Sequence, residues 1–324
     1  QHAYPYAYNY LQLFPMQENG LPEYRIRQSP DAWDWADWGV KNTIDKEPIQ
    51  AAFYYLALEE AKKMAEVLGK TEDIAWYTNR METMKPAFEK AYWKDGFYSS
   101  DPEKLKDDRA NAIAIVSGIA NPNFHNQIVD NVLIPNRYSS PHFEWVVEEA
   151  MCISNRHKTS LERMKDQYQS QVDKKSMSTL YEMFPRGGSY NHAWNGSNKI
   201  LSKYIAGVEP TKVAWSEYQI LPNLLHFKKL KKVIPTVKGN ITIDLEVKDN
   251  AYHLELISPQ STTAIIGIPK KDKEVDEVVI NGKLVWKKGK TKKSVKGFIF
   301  DSENADFLKF KAQSGTWKID VSYK

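Results

Sequence analysis

A short segment near the start of the chain alternates acidic and aromatic residues in a way that suits a sugar-binding site. The sequence DAWDWADWG occupies residues 31–39 and follows a proline, which predicts a loop or a short extended segment. An indole ring can stack on a pyranose, and its apolar bulk desolvates a neighbouring acid and raises the pKa of that acid. The alternative is that the tryptophans pack on a helix bundle while the aspartates cap helices. The candidates here are Trp33, Asp34, Trp35, Asp37 and Trp38.

A second acid–aromatic segment, TLYEMFPRGGSYNHAWNGS, occupies residues 179–197. Glu182 lies among apolar neighbours, which predicts either an acid desolvated for chemistry or an ion pair with a cation such as Arg186. His192 and Trp194 follow in a polar and aromatic patch that suits sugar hydroxyl groups. Two desolvated carboxylates accompanied by aromatic residues point to glycoside hydrolysis.

A third charged segment, DDRANA, opens a predicted helix at residues 107–112. Asp107 and Asp108 are well placed to complement the positive end of the helix dipole. That structural role is sufficient to explain both aspartates. Arg109 has an alternative role, in which its long side chain reaches into a central cavity.

Several other chemistries lack their sequence signatures. No HExxH, paired CxxC or EF-hand spacing indicates a metal, no glycine loop indicates a bound phosphate, and no GxSxG indicates a serine hydrolase. We therefore predict no metal and no cofactor. A net charge of +4 argues against nucleic acid as a partner, and the lack of an 18-residue apolar run argues against a membrane span. The single cysteine, Cys152, is predicted to be a buried small apolar residue.

The elements that must position these residues change type along the chain. Apolar residues recur at helical spacing through residues 44–207, whereas after Pro210 they alternate with polar residues as in strands. Helices are predicted at about 47–68, 71–92, 109–120, 123–133, 141–154, 158–172 and 194–206. The fold class is therefore α then β, with an α/α toroid of helix hairpins, complete or incomplete, followed by an antiparallel β-sandwich or jelly-roll-like module. The predicted domains are residues 1–210 and 211–324.

Lysines cluster in the strand-forming half, at Lys228–Lys232, Lys270–Lys273 and Lys287–Lys293. One interpretation is that they bind an acidic polymer. The simpler one is that they form solvated faces and protect sheet edges from pairing with other chains.

An ordered set of motifs resembles the bacterial α-L-rhamnosidase family of glycoside hydrolases. The motifs are WDWADWG, DDRANAIAIVSGIA, SSPHFEWVVEEAM, TLYE and NHAWNGSNKILSKYIAGVEP, in this order. The resemblance extends from about Asp31 to the end of the chain. It implies a toroid of six helix hairpins with the active site at its centre, and removal of terminal α-L-rhamnose with inversion.

The resemblance also implies roles for individual residues. The general base is the glutamate of TLYE, Glu182, and the general acid comes from the DWADW region, where we predict Asp37. Asp34 and Asp45 are alternatives for the acid. An inverting pair stands roughly 6.5–9.5 Å apart, which leaves room for the attacking water. The predicted sugar-binding residues are Trp33, Asp34, Trp35, Trp38, Asp45, Arg109, His192 and Trp194.

A closed toroid needs twelve helices, and the sequence predicts only about seven or eight segments. We therefore expect the C-terminal part of a longer enzyme, or a chain whose ring another chain closes, and its partner is a rhamnose-containing oligosaccharide or polysaccharide. The alternatives are a non-catalytic carbohydrate-binding or assembly module, another toroid glycosidase, or a polysaccharide lyase. Enzymes of this type are commonly exported, so the expected location is periplasmic or secreted.

Overall fold

The structure is a computed structural model that describes residues 2–24, 36–37, 44–101, 103, 106–174, 179–184, 196–270 and 273–324. The chain divides into two compact units, Gln1–Ser197 and Asn198–Lys324. The first is helical and the second is mostly a large antiparallel sheet, which confirms the predicted succession of α and β halves. The predicted domain boundary after residue 210 lies later in the chain than this division and stays a prediction.

The helices of the first unit follow the predicted apolar periodicity. They are α1 Tyr4–Gln12, α2 Lys46–Leu68, α3 Thr71–Tyr92, α4 Asp108–Ser117, α5 His125–Ile128, α6 Pro141–Ile153 and α7 His157–Val172, and α8 Ser197–Ile200 begins where the unit ends. A 3-10 turn, Pro122–Phe124, precedes α5, and π-helical turns follow α5 and α8 at Val129–Leu133 and Leu201–Ile205.

The hairpin of α2 and α3 shows how the sequence ends one helix and starts the next. Gly69 adopts a left-handed conformation (φ 68°) that closes α2, as glycine does readily because it has no Cβ. Thr71 is the first residue of α3, and Lys70 holds the cap position. The buried faces of α2, α3, α4 and α6 contribute to one apolar core.

Helix α1 was not predicted, since nine residues form a marginal helix on their own. Packing against α2 and α3 stabilises it. The Tyr54 hydroxyl donates to the Leu11 carbonyl at 2.8 Å, and the Tyr4 hydroxyl donates to Asp73 at 2.7 Å. The ring of Tyr8 meets the edge of Trp76.

The described part of the second unit contains ten strands. They are β1 Val208–Pro210, β2 Glu217–Ile220, β3 Lys229–Thr236, β4 Gly239–Lys248, β5 Ala251–Pro269, β6 Val275–Ile280, β7 Lys283–Lys287, β8 Lys290–Thr291, β9 Phe298–Glu303 and β10 Phe307–Tyr323. All pairings are antiparallel except that of β2 with β5.

Two long strands, β5 and β10, pair with each other and connect two sets of neighbours. Their register shifts between Gln313 and Gly315, where a bulge interrupts the ladder. On one side of the shift the strands pair with β4 and β6, and on the other side with β2 and β9. Residues from both sides share one apolar core, in which inward positions alternate with solvent-facing ones, as the period of two predicted.

No helix among the described residues combines the length and the apolar character needed to cross a membrane. Cys152 is buried, as predicted, and burial raises the pKa of its thiol to about 12.

Candidate active site

The start of α4 holds a buried arginine beside an aspartate. The Asp107 carboxylate caps the helix by accepting from the Arg109 backbone N–H at 2.9 Å, and it also accepts from Nε and Nη2 of the same residue at 2.8 and 3.1 Å. Arg109 is only 1% exposed. Burial alone lowers the pKa of Arg109, but the bonds and charge of Asp107 more than offset this, so the guanidinium stays charged. Asp107 has the capping role that the sequence indicated.

Asp37 is joined to the helical core rather than exposed to solvent. The Ser140 backbone N–H donates to Asp37 Oδ2 at 2.9 Å, and the Ser140 hydroxyl donates to Oδ1. Arg109 Nη1 lies 3.7 Å from Oδ2. The Asp37 side chain has no exposed surface. These bonds hold the Asp37 carboxylate within the helical core, and its assignment as the general acid stays a prediction.

Asp45 precedes α2 and is likewise enclosed by donors. It accepts from the Ser99 hydroxyl at 2.9 Å and from the Ser100 hydroxyl and N–H at 2.6 and 2.9 Å. Its own N–H donates to Asp107 at 3.0 Å. With 3% exposure, Asp45 joins the start of α2 to the start of α4, and its role in the sugar site stays a prediction.

A second buried arginine connects three helices. Arg163 on α7 donates to Asp108 at 2.8 Å and to Glu144 at 2.5 and 2.8 Å. It also donates to the Leu133 and Asn136 carbonyls. Burial by itself lowers the pKa of Arg163, and the charges of Glu144 and Asp108 reverse that effect. A buried charge that is this fully bonded holds α4, α6 and α7 in one arrangement.

Glu148, one turn after Glu144 on α6, is a buried acid whose carboxyl group is only partly hydrogen-bonded. The Ser197 hydroxyl donates to its Oε1 at 3.0 Å, while Oε2 is buried with no hydrogen-bond partner among the described residues. Burial first, and then the charge of Glu144, raise the pKa of Glu148 well above its ordinary value, against the opposing effects of Ser197 and Arg163. The direction of this shift favours the neutral carboxylic acid over the carboxylate at Glu148.

Trp145 on the same helix meets the residue that follows the NHAWN segment. An added Cβ at Gly196 would lie 2.4 Å from the Trp145 ring. Together with the bond from Ser197 to Glu148, this contact anchors Gly196 and Ser197 on α6.

Glu182 differs from these acids because it is partly exposed to solvent. Its neighbours hold the segment against α7. The Tyr181 N–H donates to the buried Gln171 side chain at 2.8 Å, and the Phe184 ring packs edge-on against Tyr168, with the centroids 5.1 Å apart. Within the described part of the chain, no hydrogen bond or ion pair occupies the Glu182 carboxylate. Anchored neighbours and an unoccupied carboxylate are what a base that activates water requires.

Several predicted residues lie outside the described residues, and their roles stay predictions. They are Trp33, Asp34, Trp35, Trp38, Arg186, His192 and Trp194. Of the described candidates, Asp37 and Arg109 are brought together in one buried cluster, which Asp45 joins through Asp107. The part of the chain that the structure describes contains no group of three or more acidic, histidine or cysteine residues arranged to hold a metal ion.

Four residues of these buried clusters were not predicted from the sequence, namely Ser140, Glu144, Glu148 and Arg163. One signal was available for two of them, because FEWVVEEAM places acids among the apolar residues of a helix, where they are buried only if paired or neutral. Nothing in the sequence singles out Arg163, since its partners lie 19 and 55 positions away in the chain.

Two family models match the chain. The model of the bacterial α-L-rhamnosidase six-hairpin glycosidase domain matches residues 1–136, and the model of the bacterial α-L-rhamnosidase C-terminal domain matches residues 207–283. A curated α-L-rhamnosidase of Formosa agariphila is 23% identical over 89% of this chain and 33% of its own length. The chain therefore spans about a third of the length of this relative.

Solved structures show the same fold. The α-L-rhamnosidase from Dictyoglumus thermophilum superposes with a TM-score of 0.77 at 16% identity, over 99% of this chain and 36% of that one. The Streptomyces avermitilis α-L-rhamnosidase, solved as a complex with L-rhamnose, superposes with a TM-score of 0.74 at 17% identity, over 99% of this chain and 30% of that one. Because matches to one family cover most of the helical unit and much of the sheet unit, the chain belongs to the bacterial α-L-rhamnosidase family of glycoside hydrolases.

Proposed function

We propose that the protein hydrolyses terminal α-L-rhamnosides with inversion, and that Glu182 is its general base. Because the chain spans about a third of its curated relative, the activity is proposed for the complete protein. The observation that carries the assignment is the contrast among the acids, since Glu182 has a partly exposed and unoccupied carboxylate while Asp37 and Asp45 are enclosed. Family membership supplies the substrate class.

In this mechanism Glu182 takes a proton from a water molecule while that water attacks the anomeric carbon. A carboxylic acid on the opposite side protonates the departing oxygen, and the two carboxyl groups stand roughly 6.5–9.5 Å apart. The Tyr181 and Phe184 contacts with α7 fix the position of the base between them. His192 and Trp194 remain our proposed contacts to the sugar.

The first test is hydrolysis of an aryl α-L-rhamnoside by the wild-type protein and by Glu182→Gln. Loss of a general base lowers kcat by about 10²–10⁴. Glu66→Gln, an exposed glutamate on α2, is the matched control and should keep full activity. Full activity of Glu182→Gln would show that another group is the base, and NMR of the first-formed anomer separates inversion from retention.

The proton donor is identified by comparing leaving groups in Asp34→Asn and Asp37→Asn. A lost general acid harms substrates with poor leaving groups far more than those with a nitrophenolate, which departs without a proton. We propose that Asp37 positions its neighbours, so Asp37→Asn should slow both substrates by the same factor. A selective loss on the poor leaving group would identify Asp37 as the acid.

We further propose that the natural substrate is a rhamnose-containing glycoside or polysaccharide and that the protein acts in the periplasm or outside the cell. Support comes from the family and from the relative solved with L-rhamnose. Cell fractionation with an antibody tests the location, and recovery of the protein only from the cytoplasm would contradict it.

A further inference from the structure

The two units carry opposite charge. The unit Asn198–Lys324 contains 23 lysines, no arginine and 14 acidic residues, which gives a formal net charge of +9, whereas Gln1–Ser197 has −5. The chain total of +4 conceals this separation. A strongly cationic unit attracts anionic ligands if its charges are exposed and not already paired.

The cationic charge is concentrated on one hairpin. Residues 283–296 include seven lysines and no acid. They comprise β7, a two-residue turn at Lys288 and Gly289, β8 and the segment that follows. The lysines are Lys283, Lys287, Lys288, Lys290, Lys292, Lys293 and Lys296, and we call this set the lysine hairpin. All of them except Lys287 are exposed.

Acidic residues neutralise little of the charge on the lysine hairpin. Lys287 pairs with Glu277 at 2.5 Å. Among the described residues, no acid lies within ion-pair distance of the other six ammonium groups. Lys287 and Lys290 are also directly opposite each other in the ladder, an arrangement that destabilises a sheet when no anion lies between the two charges.

Several lysines elsewhere in the same sheet are paired with acids. Lys229 and Lys231 on β3 contact Glu246 and Asp244 on β4 at 3.4 and 3.2 Å. Lys318 contacts Glu255 at 3.1 Å, and Lys270 contacts Glu303 at 2.7 Å. The simple interpretation of solvated, edge-protecting lysines therefore fits these positions. It does not account for seven like charges on one short hairpin, six of them without an acidic partner among the described residues.

An aromatic surface adjoins the lysine hairpin. Trp286 on β7 stacks on Phe300 of β9, with the ring centroids 5.1 Å apart and the planes at 24°. Phe300 is 39% exposed, so its ring is available next to the lysines. Cations beside an exposed aromatic ring can contact a carboxylate or sulfate and the apolar face of a sugar together.

We infer that the lysine hairpin binds an anionic polysaccharide, one that carries uronate carboxylates or sulfate esters. The choice of a glycan over a nucleic acid rests on the proposed function, since a glycoside hydrolase gains by binding the polymer whose side chains it trims. The hairpin then holds the polymer through its charge while hydrolysis takes place elsewhere in the protein.

The test is affinity electrophoresis of the full chain in gels that contain polygalacturonate, dextran sulfate or neutral dextran. We expect retardation by the two polyanions and not by neutral dextran, and weaker retardation as salt is raised. The variant Lys288→Gln/Lys290→Gln/Lys292→Gln/Lys293→Gln should bind roughly tenfold more weakly or worse. The matched control, Lys229→Gln/Lys231→Gln/Lys270→Gln/Lys318→Gln, removes the same charge and should change Kd by less than about twofold.

Equal loss in both variants would overturn the proposal, because net charge alone would then explain binding. Tighter binding of single-stranded DNA than of either polyanion at the same salt would overturn it in favour of nucleic acid. If the variant does not fold, acetylation of lysines in the wild-type protein provides a second test. Polygalacturonate should protect Lys288–Lys293 and leave Lys229 reactive, and the absence of that protection contradicts the proposal.

Failure of this proposal is distinguishable from failure of the proposed function. Hydrolysis of a small aryl rhamnoside does not require the polymer, so the hairpin variant should keep full activity on it. An inactive wild-type protein that still binds polyanions would refute only the catalytic assignment. A wild-type protein that hydrolyses the rhamnoside but does not bind the polyanions would refute only the proposal for the lysine hairpin.

Discussion

The acids at the start of α4 and the acid after α7 are chemically similar and have opposite environments. Asp37, Asp45 and Asp107 are 2–3% exposed and accept bonds from serine hydroxyls, N–H groups and Arg109. Glu182 is partly exposed, and its neighbours rather than its carboxylate make the fixed contacts. Asp37 and Glu182 both occur in acid–aromatic segments of the sequence. The groups that donate hydrogen bonds to a carboxylate, rather than the motif that contains it, therefore determine whether that carboxylate stabilises the fold or remains available to a substrate.

The largest expected effect tests whether the buried charges stabilise the fold. Arg163→Gln leaves Asp108 and Glu144 buried without their cation, and we expect a loss of about 3–5 kcal/mol in the free energy of unfolding. Urea denaturation measures it. Arg156→Gln is the control, because Arg156 pairs with Asp130 at the surface and should cost less than about 1 kcal/mol. Similar losses in both variants would remove the distinction between buried and exposed pairs.

Asp37→Asn should have the next largest effect. The amide cannot satisfy the Ser140 N–H and hydroxyl and the Arg109 charge as the carboxylate does, so the free energy of unfolding should fall by about 1–3 kcal/mol. Asp130→Asn, a surface change of the same type, should stay within about 0.5 kcal/mol. Retained stability with impaired catalysis in Asp37→Asn would instead indicate that Asp37, like Glu182, acts in catalysis.

The pH dependence of stability tests the neutral state of Glu148. Burial and Glu144 raise the pKa of Glu148 above its ordinary value of 4.5, at which the unfolded chain titrates. As pH rises above this value, the unfolded chain loses a proton that the folded state keeps, so stability falls by up to about 1.4 kcal/mol per pH unit until the folded pKa is reached. Glu148→Gln should therefore gain stability relative to wild type as pH rises above about 4.5. Parallel pH profiles would show that Glu148 is ionised in the folded protein.

Glu182→Gln should have the smallest effect on stability and a large effect on activity. Because no described residue pairs with its carboxylate, the free energy of unfolding should change by less than about 0.5 kcal/mol. Thermal and urea unfolding measure this on the same preparations that are assayed for hydrolysis. A loss of stability comparable to that of Asp37→Asn would erase the contrast between the two groups of acids.

Much of the helical unit followed from the sequence alone. The spacing of apolar residues placed α2, α3, α6 and α7 to within a few residues, because a helix that packs on a core must repeat its apolar face every 3.6 residues. The change of period after Pro210 likewise predicted strands. Helix α1 was not predicted because its stability comes from packing against α2 and α3, which no local sequence pattern records.

The candidate site was predictable in part. The sequence identified the carboxylates and ordered the family motifs, since those depend on residue type and spacing. It did not show that Ser140 binds Asp37 from 103 positions away, or that Ser99 and Ser100 enclose Asp45. Partners so distant in the chain meet only when the helices pack, so no local pattern records them.

The lysines illustrate the same limit. The sequence marked three lysine clusters and left two interpretations open. Cross-strand register then paired Lys229 and Lys231 with acids and left the lysine hairpin without them. By itself, the sequence determined the family, the order of helices and strands, and the residues able to do chemistry, because these depend on composition and on short repeats. Only the tertiary structure decided which charges are neutralised and which remain free to bind, because the energy of a charge depends on the groups that folding brings within a few ångströms of it.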